Sequence, residues 1–262
     1  MDEAPLLMEA RSAPKNTGKG PPVLKAGRVT WIFAVYVLVQ MVVGFAGGIF
    51  AGFYAGAFGM PPDEAVAFIS GEALFPVTLA AILAGGIVIL PLVRLSYPGP
   101  IREGVLAPLG WTSSSLSSSL TALTCGSVVA FLYLRVGIAI SPPAPTQEFG
   151  PIATGAATAV GWSKYIWVAM LFAAAPVEEF LFRGAMLEGF ARSFGGWFAG
   201  LIVTVLFVAS HLPETNFYVP AIVAITALSI GTLAARLLTG SLVPPILFHA
   251  AYNLVIAAGS FG

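Results

Sequence analysis

Charge is what this chain has least of. Only 9% of its residues are Asp, Glu, Lys or Arg, against roughly 25% in ordinary soluble domains. Hydrophobic residues make up 58% of the chain, and mean hydropathy is +0.91. Such a composition excludes a soluble domain and places the chain in a lipid bilayer. Cysteine is scarce as well. Cys125 stands alone, which excludes an intrachain disulfide, and its apolar surroundings suit a small packing residue. Lys plus Arg and Asp plus Glu number 12 each, so no net charge attracts nucleic acid, and none is expected as a partner. Histidine occurs only twice, as His211 and His249, which makes the placement of each informative.

Residues 1–28 are of a different material. Asp2, Glu3, Glu9, Arg11, Lys15, Lys19, Lys25 and Arg28 alternate with Pro14, Pro21, Pro22 and glycines, the composition of a disordered tail. The apolar stretch after it is about twice the length of a signal-peptide core, so it does not read as a cleavable signal. Residues 29–262 read as one transmembrane domain.

Within that domain seven hydrophobic segments approach the 20 or so residues that a bilayer requires. They are Val29–Gly59, Leu74–Leu95, Leu116–Ile140, Tyr165–Phe190, Trp197–Leu212, Val219–Leu238 and Leu242–Ser260. Ala153–Lys164 offers room for a further short helix, and so for an eighth crossing. The expected fold is an all-α, polytopic membrane helix bundle.

Positive charge orients it. Arg11, Lys15, Lys19, Lys25 and Arg28 lie in the tail, Arg94 and Arg102 in the second connection, Arg192 in the fourth and Arg236 in the sixth. Asp63, Glu64, Glu72, Glu148 and Glu214 occupy the alternate connections, with Lys164 their only cation. Seven spans with a cytoplasmic amino terminus satisfy all of these, as in a bacterial inner (cytoplasmic) membrane. The first span also carries Gly44, Gly48, Gly52 and Gly56 at four-residue spacing, a face that admits close packing within the chain or between copies in a homo-oligomer. The run Ser113–Ser119 lacks a nucleophile elbow and reads as the polar start of a helix. Arg135 is near enough to its helix end to snorkel.

One place breaks the rule of scarce charge. Glu178, Glu179 and Arg183 sit inside an apolar run, in Glu178-Glu179-Phe180-Leu181-Phe182-Arg183. Each costs on the order of 2.5–3.5 kcal/mol at a bilayer centre, so three in six residues need partners and a purpose. On a helix Glu179 and Arg183 are four apart with the acid first, the favourable order for an ion pair. Glu178 points about 100° away and remains the freer carboxylate, suited to a general base. His211 ends the next span and is followed by Leu212-Pro213, which stops a helix. His249 and Asn253 are again four apart in the last span and share a face.

A carboxylate, two imidazoles and a carboxamide thus come from three adjacent helices. Glu178 with a histidine can deprotonate a water, while the other histidine and Asn253 donate to the oxyanion formed at an attacked carbonyl. The same Glu178, His211 and His249 can instead hold a divalent metal such as zinc, although no His-Glu-x-x-His helix is present. A proton-coupled transporter, or a non-catalytic scaffold that keeps these groups for packing, is the other class of reading.

The joint pattern resembles a known family. Glu-Glu-x-x-x-Arg, Phe-x-x-x-His and His-x-x-x-Asn, in that order on successive helices, are similar to the motifs of the CPBP intramembrane proteases. These include the type II CAAX prenyl endopeptidases and bacterial proteins linked to bacteriocin processing and immunity, also called the Abi family. The resemblance runs from about Trp162 to Ala257, the expected catalytic core. It implies a buried polar chamber that hydrolyses a peptide bond in a peptide or membrane-protein substrate. It further implies that Glu178 and His211 activate the water, that His249 and Asn253 stabilise the oxyanion, and that Glu179 and Arg183 support them. By the count of spans, His211 lies toward the extracytoplasmic side, whereas CAAX-type substrates are cytoplasmic.

Overall fold

The structure is a computed structural model of the 262-residue chain, and it describes residues 24–70, 72–96, 109–142, 161–213 and 215–260. Most of the tail and of Ala153–Lys164 lies outside these, so neither the disordered tail nor an eighth crossing is described.

Every regular element among the described residues is helical. In chain order they are α1 (Ala26–Ala57), α2 (Pro62–Ser70) and α3 (Leu74–Arg94). α4 runs as Leu116–Leu132, a π-helical stretch Tyr133–Gly137 and Ile138–Ile140. α5 is likewise composite: Ser163–Glu179, a π-helical stretch Phe180–Met186, then Leu187–Phe194. α6 (Gly196–His211), α7 (Val219–Thr239) and α8 (Val243–Ser260) complete the bundle. Five of the helices are long and apolar enough to cross a membrane, and α6 and α8 are shorter apolar helices. The chain is an integral membrane protein built as a polytopic bundle.

Local chemistry sets the helix limits. Ser115 caps α4 by accepting a hydrogen bond from the Ser118 N–H at 3.1 Å, which gives the serine run its structural use. Gly195 (φ 83°) turns the chain between α5 and α6, and Gly240 (φ 67°) ends α7. α2 is a short helix with Asp63 and Glu64 in its first turn and no buried residue.

Packing in lipid gains little from burying one apolar group against another, so close fit and polar contacts fix the helix pairs. α8 lies along α4 and α7, α1 along α3, and α3 along the first half of α5. At the crossing of α4 and α8, a Cβ on Gly126 would collide with the backbone carbonyl of Phe248, so only glycine permits that approach. Nothing lies within 4 Å of a Cβ built at Gly44, Gly48, Gly52 or Gly56, so these glycines make no close helix contact within the chain. Gly44 and Gly48 line a cavity with Ile69 of α2 and with Ala73, Leu74 and Val77 at the start of α3, while Gly52 and Gly56 are exposed. Cys125 is exposed on α4 and packs into no core. The main core instead gathers round the π-helical stretch of α5, where all seven residues Phe180–Met186 are buried.

The two ends of the bundle differ in charge. The N–H of Ala26 donates to Ser193 Oγ at 2.9 Å, and Arg28 Nε donates to Ser96 Oγ at 3.1 Å. These bonds bring the start of α1 to the ends of α3 and α5, gathering Lys25, Arg28, Arg94 and Arg192 at one end. Asp63 and Glu64 follow the far end of α1, one helix length away.

Candidate active site

Glu178 and Glu179 are the last two α-helical residues of α5 before its backbone widens to i→i+5 hydrogen bonding. Pro176, one turn earlier, has no N–H to close on the preceding turn and loosens the helix there. The charged motif therefore straddles a change of helical pitch, the kind of irregularity that marks functional sites.

Arg183 is wholly buried and is met from three sides. Its Nη1 donates to Glu179 Oε1 at 3.3 Å, and its Nη2 reaches both the carbonyl and the hydroxyl of Ser229 on α7 at 3.0 Å. Its guanidinium carbon lies 4.3 Å from the centre of the Phe207 ring on α6. Arg236, also on α7, donates from Nε to the Arg183 carbonyl at 3.2 Å. Two cations and a serine thus pin the wide turn of α5 to its neighbours. Ser229 and Arg236 carry no pattern in sequence that names them as partners of Arg183.

The imidazoles divide between the two carboxylates. His211 Nε2 lies 3.5 Å from Glu178 Oε2, whereas His249 Nδ1 lies 2.9 Å from Glu179 Oε1. Glu179 therefore serves Arg183, as its spacing suggests, and His249 besides. His211 Nδ1 sits 2.7 Å from the Phe207 carbonyl, and since a carbonyl only accepts, Nδ1 carries the proton. Nε2 then faces Glu178, accepting in the neutral ring and donating to the carboxylate when the ring carries its second proton. Ser210 Oγ is 3.3 Å from the same Nδ1.

Asn253 donates from Nδ2 to the Leu171 carbonyl at 2.9 Å, in the turn of α5 ahead of Pro176. One amide hydrogen is spent there and the second is left for another acceptor. The side chains of Glu179 and His249 are 0% and 3% exposed, while those of Glu178 and His211 are 13% and 12% exposed. The site thus opens at the Glu178–His211 pair. Glu178 Oε2, Glu179 Oε2 and Arg183 Nε are buried with no hydrogen-bond partner among the described residues. Unmade bonds of this kind cost about 1–3 kcal/mol each, so the site has donor and acceptor capacity to offer a polar reactant.

No group of three or more His, Cys, Asp or Glu side chains among the described residues is placed to hold an ion. Glu178 pairs with His211, and Glu179 with His249.

The helices that carry these groups can be compared with known proteins. Residues 160–255 match the family model of the Rce1-like type II CAAX prenyl endopeptidases. That stretch is similar to Rce1-like domains. It covers α5 to α8 almost completely and so contains every side chain of the site, and it agrees with the resemblance of the three motifs. The family it resembles is one of CAAX-type prenyl endopeptidases. No curated protein and no solved structure matches the chain.

Proposed function

We propose that this chain is an intramembrane endopeptidase that hydrolyses a peptide bond with water activated by Glu178 and His211. The observation that carries the reading is their pairing at 3.5 Å, at the one part of the polar cluster open to a reactant. Nδ1 of His211 is held by the Phe207 carbonyl, so Nε2 and the Glu178 carboxylate are two acceptors facing one small space. A water there gives up one proton to them as its oxygen bonds to the carbonyl carbon. His249 and the second amide hydrogen of Asn253 face the oxyanion. The C–N bond then breaks, and the proton passes to the leaving amine. Glu179 and Arg183 hold His249 and the wide turn of α5 in place.

The charge at the ends of the bundle supports a cytoplasmic amino terminus, with Lys25, Arg28, Arg94 and Arg192 on the cytoplasmic side. α6 has 16 residues, about 24 Å, and cannot cross a hydrocarbon core of about 30 Å. His211 at its end therefore lies within the bilayer. His249 is about 9 Å along α8 at 1.5 Å per residue and His211 is at the far end of α6, so the site lies between the two faces of the membrane.

The test is purified protein with membrane-proximal peptides. Glu178→Ala is expected to abolish cleavage, by on the order of a hundredfold or more, while its abundance stays at the wild-type level. Full activity in that variant removes Glu178 as the base. Loss of activity only in step with loss of protein favours the scaffold reading.

A further inference from the structure

The mechanism above leaves one side chain of the site without a use. The Phe207 ring is fully buried and touches three groups of the cluster at once. The Arg183 guanidinium lies 4.3 Å from its centre, the His211 ring lies tilted against it at 4.4 Å and 31°, and the His249 ring meets it edge to face at 5.9 Å and 73°. Phe182 closes on it edge to face at 5.1 Å. The Phe207 backbone carbonyl also accepts from His211 Nδ1 at 2.7 Å.

We infer that Phe207 is a positioning residue that fixes both imidazoles against the Arg183 cation, rests on the endopeptidase reading for its kinetic consequence, and sets the tautomer of His211. The physical case has two parts. A ring face carries negative charge density and its edge positive, so one face attracts the guanidinium while ring contact orients an imidazole. That attraction is strongest where water is excluded, as it is around Arg183. A leucine would fill much of the space and offer no such face. The contact also keeps the His211 ring in the plane that lets Nδ1 reach a carbonyl one turn back on its own helix. Nε2 is thereby held toward Glu178. Without that contact the ring can rotate, the bond to the carbonyl loosens, and the Nε2-protonated form, useless as an acceptor toward water, becomes populated.

The chain has only two histidines, so a protein labelled with ¹⁵N at histidine gives the ring signals of these two residues alone. Two variants are compared in detergent with wild type: Phe207→Leu, and Phe207 replaced by pentafluorophenylalanine, which keeps the shape and reverses the charge of the ring face. In wild type both histidines are expected with Nδ1 protonated, His211 against the Phe207 carbonyl and His249 against Glu179, and the His211 signals are assigned by their absence in His211→Gln. Both variants should gain the Nε2-protonated form of His211. Both should also lose on the order of tenfold in kcat on a cleaved peptide, with KM little changed. A pentafluoro variant with wild-type histidine signals overturns the inference, whether or not it cleaves anything. If no peptide is cleaved even by wild type, the endopeptidase reading fails while the histidine signals still decide the role of Phe207. Should Phe207→Leu not fold, the isosteric variant alone carries the test.

Discussion

His249 is bonded to Glu179, the deeper of two adjacent glutamates, with Nδ1 and Oε1 2.9 Å apart across 70 residues of chain. The same oxygen accepts from Arg183 at 3.3 Å, so one carboxylate oxygen ties α8 to the wide turn of α5. Neighbours in sequence thus have different work. Glu178 faces the open side of the cluster and His211, and Glu179 is sealed in.

That division has a consequence for stability. Removing one partner of a buried charge pair costs about 3–5 kcal/mol, because the other charge is left unpaired. Glu179→Ala strands Arg183 and frees His249, and is expected to lower stability by about 3 kcal/mol more than Glu178→Ala. Unfolding of the two purified variants in mixed micelles measures the difference. Equal losses would mean that the two glutamates are not divided in this way.

The crossing of α4 and α8 offers a second check. Gly126 meets the Phe248 backbone so closely that even one methyl group has no room, and the next residue on α8 is His249. Gly126→Ala should lower stability by about 1–3 kcal/mol and reduce activity by shifting α8. Gly52→Ala, on the open face of α1, should change neither. A stable, active Gly126→Ala protein would show that the helices can separate at no cost.

Much of this arrangement was legible in the order of residues. A span is about 20 apolar residues, and all seven hydrophobic segments coincide with helices to within a few residues. α2 was missed because Asp63 and Glu64 break the apolar signal and nine residues are too few to carry a periodicity. The four-residue spacing of Glu179 and Arg183 gave their contact, since both stand on one helix. Contacts between helices were another matter. Nothing local in sequence links Ser229 or Arg236 to Arg183, or His249 to Glu179 in preference to Glu178. The π-helical stretch was equally hidden, since an all-buried run such as Phe180–Met186 has no polar face to betray its pitch. Close approaches within the chain were hidden too, since they fall at isolated glycines such as Gly126 and not at the four regularly spaced ones of α1.

Metal removal separates the water-activation reading from its alternative. With no three-ligand cluster among the described residues, cleavage is expected to survive dialysis against a strong chelator. The measurement is initial rate before dialysis, after it, and after adding zinc back. Activity that disappears and returns with zinc would require Glu178, His211 and His249 to close round an ion, a rearrangement of both carboxylate–imidazole pairs.

The orientation of the bundle can be tested through its single cysteine. Cys125 is exposed on α4 and takes part in none of the site contacts, so Cys125→Ala should give a functional background without thiols. Lys25 stands at the end where α1, α3 and α5 meet and Asp63 at the opposite end. A cysteine placed by Lys25→Cys should react with a membrane-impermeant maleimide only after the cells are opened, and one placed by Asp63→Cys should react in intact cells. Positive residues resist translocation, which is why the basic end is assigned to the cytoplasm. The reverse labelling pattern would place the basic end, and with it the start of α1, outside the cell.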